Sequence, residues 1–88
     1  MSDTWTDGNT LGGPLSEVLG VDVTAAVGRC TGCGSTGPLA EGRLFGHSPG
    51  LVLRCPRCDQ VLLRLARAPG RAWLDLRGLE YMELTSPE

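Results

Sequence analysis

The spacing of hydrophobic positions changes along this chain. In its first third, Leu11, Leu15, Val18 and Leu19 fall at i, i+4, i+7 and i+8, one face of a helix. Gly12-Gly13-Pro14 opens that stretch and Gly20 closes it, with Pro suited to a helix start and Gly to its stop. The pattern predicts a short helix, too short to hold alone and obliged to pack on a core. Residues 21–28, with Val21 and Val23 alternating before Thr24-Ala25-Ala26-Val27, are open between strand and helical turn. Residues 1–10 are polar, turn at Asp7-Gly8-Asn9, and are expected to be lightly attached.

From residue 29 the pattern becomes short strands cut by turns. Leu39 to Gly46 reads as a weak strand, Leu51 to Arg54 as a strand entering Cys55, and Val61 to Arg67 as a strong one. Arg71 to Arg77 alternates: Ala72, Leu74 and Leu76 take one face, and Arg71, Trp73, Asp75 and Arg77 the other. Ser48-Pro49-Gly50 and Ala68-Pro69-Gly70 are turn sequences, because Pro presets one turn position and Gly supplies the next. Gly78 breaks the alternation, and Tyr81 to Leu84 forms a last short strand. The chain thus divides into an acidic segment with a short helix (1–28), a β-rich domain (29–84) and a tail (85–88).

The strongest chemical signal lies inside the β-rich part. Arg29-Cys30-Thr31-Gly32-Cys33-Gly34 and Arg54-Cys55-Pro56-Arg57-Cys58-Asp59 form two C-x2-C pairs separated by 21 residues. Two intervening residues let both thiols of a pair reach one ion from a tight turn. Four thiolates satisfy tetrahedral Zn²⁺. The pattern predicts a small, mostly-β zinc ribbon: two cysteine knuckles on antiparallel β-hairpins, a three-stranded sheet and a short N-terminal helix. Cys30, Cys33, Cys55 and Cys58 are the expected ligands of one structural Zn²⁺. Four other uses of these cysteines compete, a labile cluster among them. Cys55-Pro56-Arg57-Cys58 looks like a redox pair, but such pairs open a helix in a βαβ unit, and this one lies between strands. A rubredoxin-like iron site uses similar knuckles within an aromatic surround, and this chain has only Trp5, Phe45, Trp73 and Tyr81. Disulfides are disfavoured if the chain works in a reducing compartment.

Zinc changes what charge means here. Residues 1–28 sum to -4, residues 29–77 to +5 and residues 78–88 to -3, giving a formal net charge of -2. Four thiolates and one Zn²⁺ add -2, so the metal-loaded chain stands at about -4. All eight basic residues are Arg. GC-rich codon usage would produce this, as would a surface built for planar, bidentate contacts. Arg29, Arg54 and Arg57 adjoin the thiols and are positioned to offset their charge. Arg64, Arg67, Arg71, Trp73 and Arg77 around the second hairpin form the candidate partner-binding face. There, a Trp between guanidinium groups can stack on a base or a side chain.

With 88 residues, room exists for one small domain whose core alone is marginal. No apolar run approaches the ~20 residues that span a bilayer, and no secretory signal is present, so the chain reads as cytoplasmic. His47 is the single His, four Cys leave a tetrahedral ion without an open position, and no nucleophile–base pair is evident. An enzyme and a small-molecule substrate are therefore not expected.

Several segments also resemble a family of small actinobacterial proteins classed as a domain of unknown function. They are Asp7-Gly8-Asn9, Gly13 to Val18, Val21 to Ala25, the two knuckles, Pro49 to Pro56, and Ala68 to Gly78. The resemblance spans nearly the whole chain and implies a zinc ribbon with no known activity. Together these readings point to a non-catalytic binding module. Its partner is expected to be a protein or ribonucleoprotein of transcription or translation, ahead of naked nucleic acid. A zinc- or thiol-responsive regulator is the alternative, and an iron electron carrier the second.

Overall fold

Strand alternation in the second half builds one wall of the molecule. In a computed structural model, which describes residues 5–20, 23–47 and 50–84, five strands form an antiparallel sheet in the order β1-β4-β5-β6-β7. These are β1 (Thr6–Asp7), β4 (Arg43–His47), β5 (Gly50–Arg54), β6 (Val61–Ala68) and β7 (Arg71–Asp75). Leu44 faces Leu53, Leu53 faces Leu63, and Leu65 faces Leu74 across the ladders. Leu44, Leu53, Leu63 and Leu65 are buried, and Leu53 and Leu65 have no exposed surface. Period-two alternation gives this sheet a leucine face turned inward and a polar face turned outward.

A second antiparallel sheet, in the order β3-β2-β8, comprises β2 (Val27–Cys30), β3 (Thr36–Pro38) and β8 (Leu79–Glu83). The fold is therefore larger than the three-stranded sheet the sequence suggests, with eight strands in two antiparallel sheets among the described residues. The sheets are stitched at Gly78, whose N–H donates to the Leu62 carbonyl at 3.2 Å and whose carbonyl accepts from Thr31 N–H at 3.0 Å. A Cβ at Gly78 would strike the Val61 carbonyl oxygen and lie 2.7 Å from Leu62 Cα. Only Gly permits this approach.

Helix α1 (Gly12–Leu19) forms where the apolar spacing places it and closes at Gly20, whose N–H donates to Ser16 O at 2.8 Å. Leu11 and Leu15 are buried, and Val18 and Leu19 pack against the same core as the sheet leucines. Those apolar positions serve the core. The acidic segment is also tied down before the helix. Thr6 and Asp7 pair with Leu44 and Arg43, and the Asp7 side chain accepts from Asn9 N–H at 3.2 Å, capping a 3-10 turn over Gly8–Leu11.

Two local readings change. Residues 39–46 are not one strand: Leu39–Glu41 is a 3-10 turn and β4 begins at Arg43. Leu39 is buried, and its N–H donates to Ala26 O at 3.0 Å, so this contact bends the chain between sheets. Of the open stretch 21–28, residues 21 and 22 lie outside the described residues, and the rest holds a turn at Thr24-Ala25 and a strand from Val27. The Pro69-Gly70 turn joins β6 to β7 with Ala68 facing Arg71. The Ser48-Pro49 turn and the 85–88 tail lie outside the described residues.

Candidate metal centre

Each knuckle is a short loop that folds back on its first cysteine. In the first, Gly34 N–H donates to Cys30 O at 2.9 Å and Cys30 N–H to Ser35 O at 2.9 Å. In the second, Asp59 N–H donates to Cys55 O at 3.0 Å and Cys55 N–H to Gln60 O at 2.8 Å. Within each loop an amide points at sulfur: Gly32 N–H at Cys30 Sγ (3.3 Å) and Arg57 N–H at Cys55 Sγ (3.4 Å). The two knuckles are thus one local structure made twice. Gly34 at φ 75° and Asp59 at φ 67° occupy matching positions in the left-handed region, which Asp tolerates better than most side-chain-bearing residues.

The second sheet and the β5–β6 ladder hold the knuckles face to face. Cys30 Sγ lies 3.6 Å from Cys58 Sγ, and Cys33 Sγ 3.8 Å from Cys55 Sγ. All four sulfurs lie within 4.8 Å of one another. A tetrahedron with Zn–S of ~2.3 Å has S–S edges of ~3.8 Å, so the donor set suits a four-coordinate ion. All four cysteines are free of disulfides; Cys30 and Cys55 are buried, whereas Cys33 and Cys58 are exposed. Four Cys ligands complete tetrahedral coordination, which is how structural sites differ from catalytic ones.

The residues beside the sulfurs bias their ionisation. Ser35 Oγ lies 3.1 Å from Cys33 Sγ and 3.8 Å from Cys55 Sγ. Bonding from Ser35 brings the Cys33 thiol down to about 6. At Cys55 burial opposes ionisation, yet the amides of Cys58 and Arg57 together with Ser35 hold the thiol below its ordinary value. Cys58 gains from a Gln60 backbone bond, but burial and the three neighbouring sulfurs drive it up to about 12.

Ser35 and Gln60 escape a motif search, although each sits two positions beyond the second cysteine of its knuckle. Gln60 Nε2 reaches Thr31 Oγ1 at 2.7 Å and Cys30 Sγ at 3.9 Å, linking the two loops. Of the Arg residues beside the thiols, Arg29 pairs with Glu80 at 3.3 Å. Arg54 donates to Asp59 O at 2.9 Å and lies 3.9 Å from its carboxylate.

The candidate binding face is divided by the register. Arg64 faces Asp75 and Ala66 faces Trp73 on the outer side of the five-stranded sheet, and the Arg71 guanidinium stands 5.9 Å from the Trp73 ring. Arg67 takes the opposite side and pairs with Glu17 of α1. Arg77 lies past the end of β7 and closes on Asp75 at 2.7 Å. Arg64, Arg71 and Trp73 therefore stay together, Arg77 is held beside Arg64 through Asp75, and Arg67 turns to the helix side.

The chain is thus a small mostly-β protein whose four clustered cysteines could hold a metal ion. Residues 1–87 match a family of unknown function, DUF6510, and the chain belongs to that family. No curated protein and no solved structure matches it. No helix among the described residues is long and apolar enough to cross a membrane.

Proposed function

We propose that this chain is a non-catalytic binding module whose fold is held by one structural Zn²⁺ on Cys30, Cys33, Cys55 and Cys58. The convergence of four sulfurs from two matching knuckles carries this reading. Zn²⁺ supplies no redox chemistry, and four thiolates complete its tetrahedron. This chain's own residues do the rest. The Gly32 and Arg57 amides aim at the buried sulfurs, and Ser35 and Gln60 brace the loops from outside. Iron is disfavoured because no aromatic side chain belongs to the buried core among the described residues. By analogy with other zinc ribbons, the partner is a protein or ribonucleoprotein of the cytoplasmic transcription or translation machinery.

Native mass spectrometry of the purified chain tests the reading. One zinc per chain is expected, whereas stoichiometric iron with visible thiolate absorption would replace the zinc reading with an electron carrier. The exposure of Cys33 and Cys58 favours a second reading, a thiol-responsive switch. Peroxide would take two electrons from a thiolate pair, forming a disulfide and water and releasing the metal. Zinc release within minutes of mild peroxide supports the switch, and retention supports a plain scaffold.

A further inference from the structure

The arginines divide by whether a carboxylate holds them. Among the described residues, Arg29, Arg54, Arg67 and Arg77 have carboxylate partners within 4 Å. Arg43, Arg57, Arg64 and Arg71 have none there. Three of these four, Arg43, Arg64 and Arg71, share the outer face of the five-stranded sheet. The register Arg43↔Arg54, Phe45↔Val52, Val52↔Arg64 and Arg64↔Asp75 runs along it. Three of the four aromatic rings also lie on this face, Tyr81 being in the second sheet. Arg43 stands 5.4 Å from the Trp5 ring and Arg54 5.5 Å from Phe45, with Arg71 over Trp73 at the far edge. Trp5 and Trp73 are 49% and 54% exposed, an unusual cost for the largest apolar side chains. Trp5, Arg43, Phe45, Val52, Arg54 and Asp59 line an open groove at one end of the face.

From this arrangement we infer that the outer face of the five-stranded sheet binds single-stranded RNA. The rings of Trp5, Phe45 and Trp73 would stack on bases, and Arg43, Arg64 and Arg71 would hold phosphates. Strand spacing of ~4.8 Å puts the β1 and β7 edges ~19 Å apart, a span suited to about four nucleotides, the lower end of sites on comparable platforms. An acidic peptide would satisfy the guanidinium groups but leave the exposed rings unused. Duplex nucleic acid presents its bases edge-on, so a flat sheet cannot stack on them. Carboxylates stand on this face too, Asp7 opposite Arg43, Asp75 opposite Arg64 and Asp59 beside Arg54. Asp75 is held by Arg77 and Asp59 lies 3.9 Å from Arg54, while Glu17 pairs with Arg67 on the helix side and Glu80 with Arg29 in the second sheet. The inference rests on the binding-module reading, and RNA in particular follows its ribonucleoprotein partner.

The test is fluorescence anisotropy of a labelled oligouridine octamer with the zinc-loaded full chain, with zinc content and circular dichroism recorded on every sample. Binding is expected at low salt, weakening as salt rises. In the Arg43→Ala/Arg64→Ala/Arg71→Ala variant it should weaken at least about tenfold, and the log–log salt slope should become shallower by about 2, from ~0.7 per phosphate contact. Trp73→Leu should cost about tenfold from lost stacking alone. Arg67→Ala, on the opposite side, should bind as the parent does. The face assignment is overturned if the zinc-loaded parent fails to bind the octamer, or if the triple variant binds it unchanged. Equal or tighter binding of a matched RNA duplex, an oligothymidine octamer or a polyglutamate peptide overturns it too. Absence of zinc in the parent would instead count against the metal reading.

Discussion

Arg67 of β6 reaches Glu17 of α1 with Nη2 3.0 Å from Oε1, which fastens the acidic N-terminal segment to the leucine side of the sheet. The pair is well exposed, and such ion pairs contribute between about 0 and 1 kcal/mol. The helix is seated by Leu15, which is 1% exposed. Urea denaturation of the metal-loaded protein should therefore separate the two: Arg67→Ala should cost less than about 1 kcal/mol, and Leu15→Ala about 2–5 kcal/mol. A larger loss for Arg67→Ala would mean that the ion pair, and not the apolar face, docks the helix.

Metal removal should unfold the β-rich part. Structural Zn²⁺ contributes about 10–16 kcal/mol in small modules, comparable with the whole stability of a domain, about 5–15 kcal/mol. Chelation should collapse the amide dispersion in NMR spectra of residues 29–77, and Cys55→Ser should do the same at nearly unchanged side-chain volume. Preserved dispersion after complete zinc removal would assign the stability to the leucine core instead.

Gly78 should be intolerant of any side chain. Its Cβ position is occupied by the Val61–Leu62 backbone, which cannot move without breaking the bonds that join the sheets. Gly78→Ala should cost about 1–3 kcal/mol or more by overpacking. The check is the shift of the denaturation midpoint, with zinc stoichiometry measured alongside.

Asp75 responds to pH through Arg77. Side-chain and backbone bonds from Arg77 draw the Asp75 carboxyl down from 3.8 to about 2. Because the folded value is depressed, the stabilisation is present above about pH 3.8 and fades as pH falls toward 2. In Arg77→Ala the carboxylate should titrate close to 3.8, as followed by carbon-13 NMR of the side chain. An unchanged titration would mean that another group holds the charge.

The candidate metal site was legible in the chain because its determinants are local. Two residues between cysteines, twice, already specify two tight loops, and Ala68-Pro69-Gly70-Arg71 closes its hairpin through residues in direct sequence. Leu11, Leu15, Val18 and Leu19 likewise announce a helix and its buried side through spacing alone. Other elements carried no such signal. Strand β1 is a two-residue strand recognisable only by its partners Leu44 and Arg43, and the Leu39–Glu41 turn follows from a contact with Ala26.

What the sequence alone determined, then, is the two cysteine knuckles, the hairpin at Pro69-Gly70 and the apolar side of the helix, each a matter of neighbours a few residues apart. Only the tertiary structure decided which distant residues meet. Val27 faces Glu83 to make the second sheet, Ser35 comes to rest beside Cys55, and Arg43 joins Arg64 and Arg71 on one face while Arg67 turns to the helix. The reason is the strand register. A side chain's face depends on its parity within a strand, but its companions depend on which strands pair, and that pairing is set by burying the leucines and bringing four sulfurs to one point.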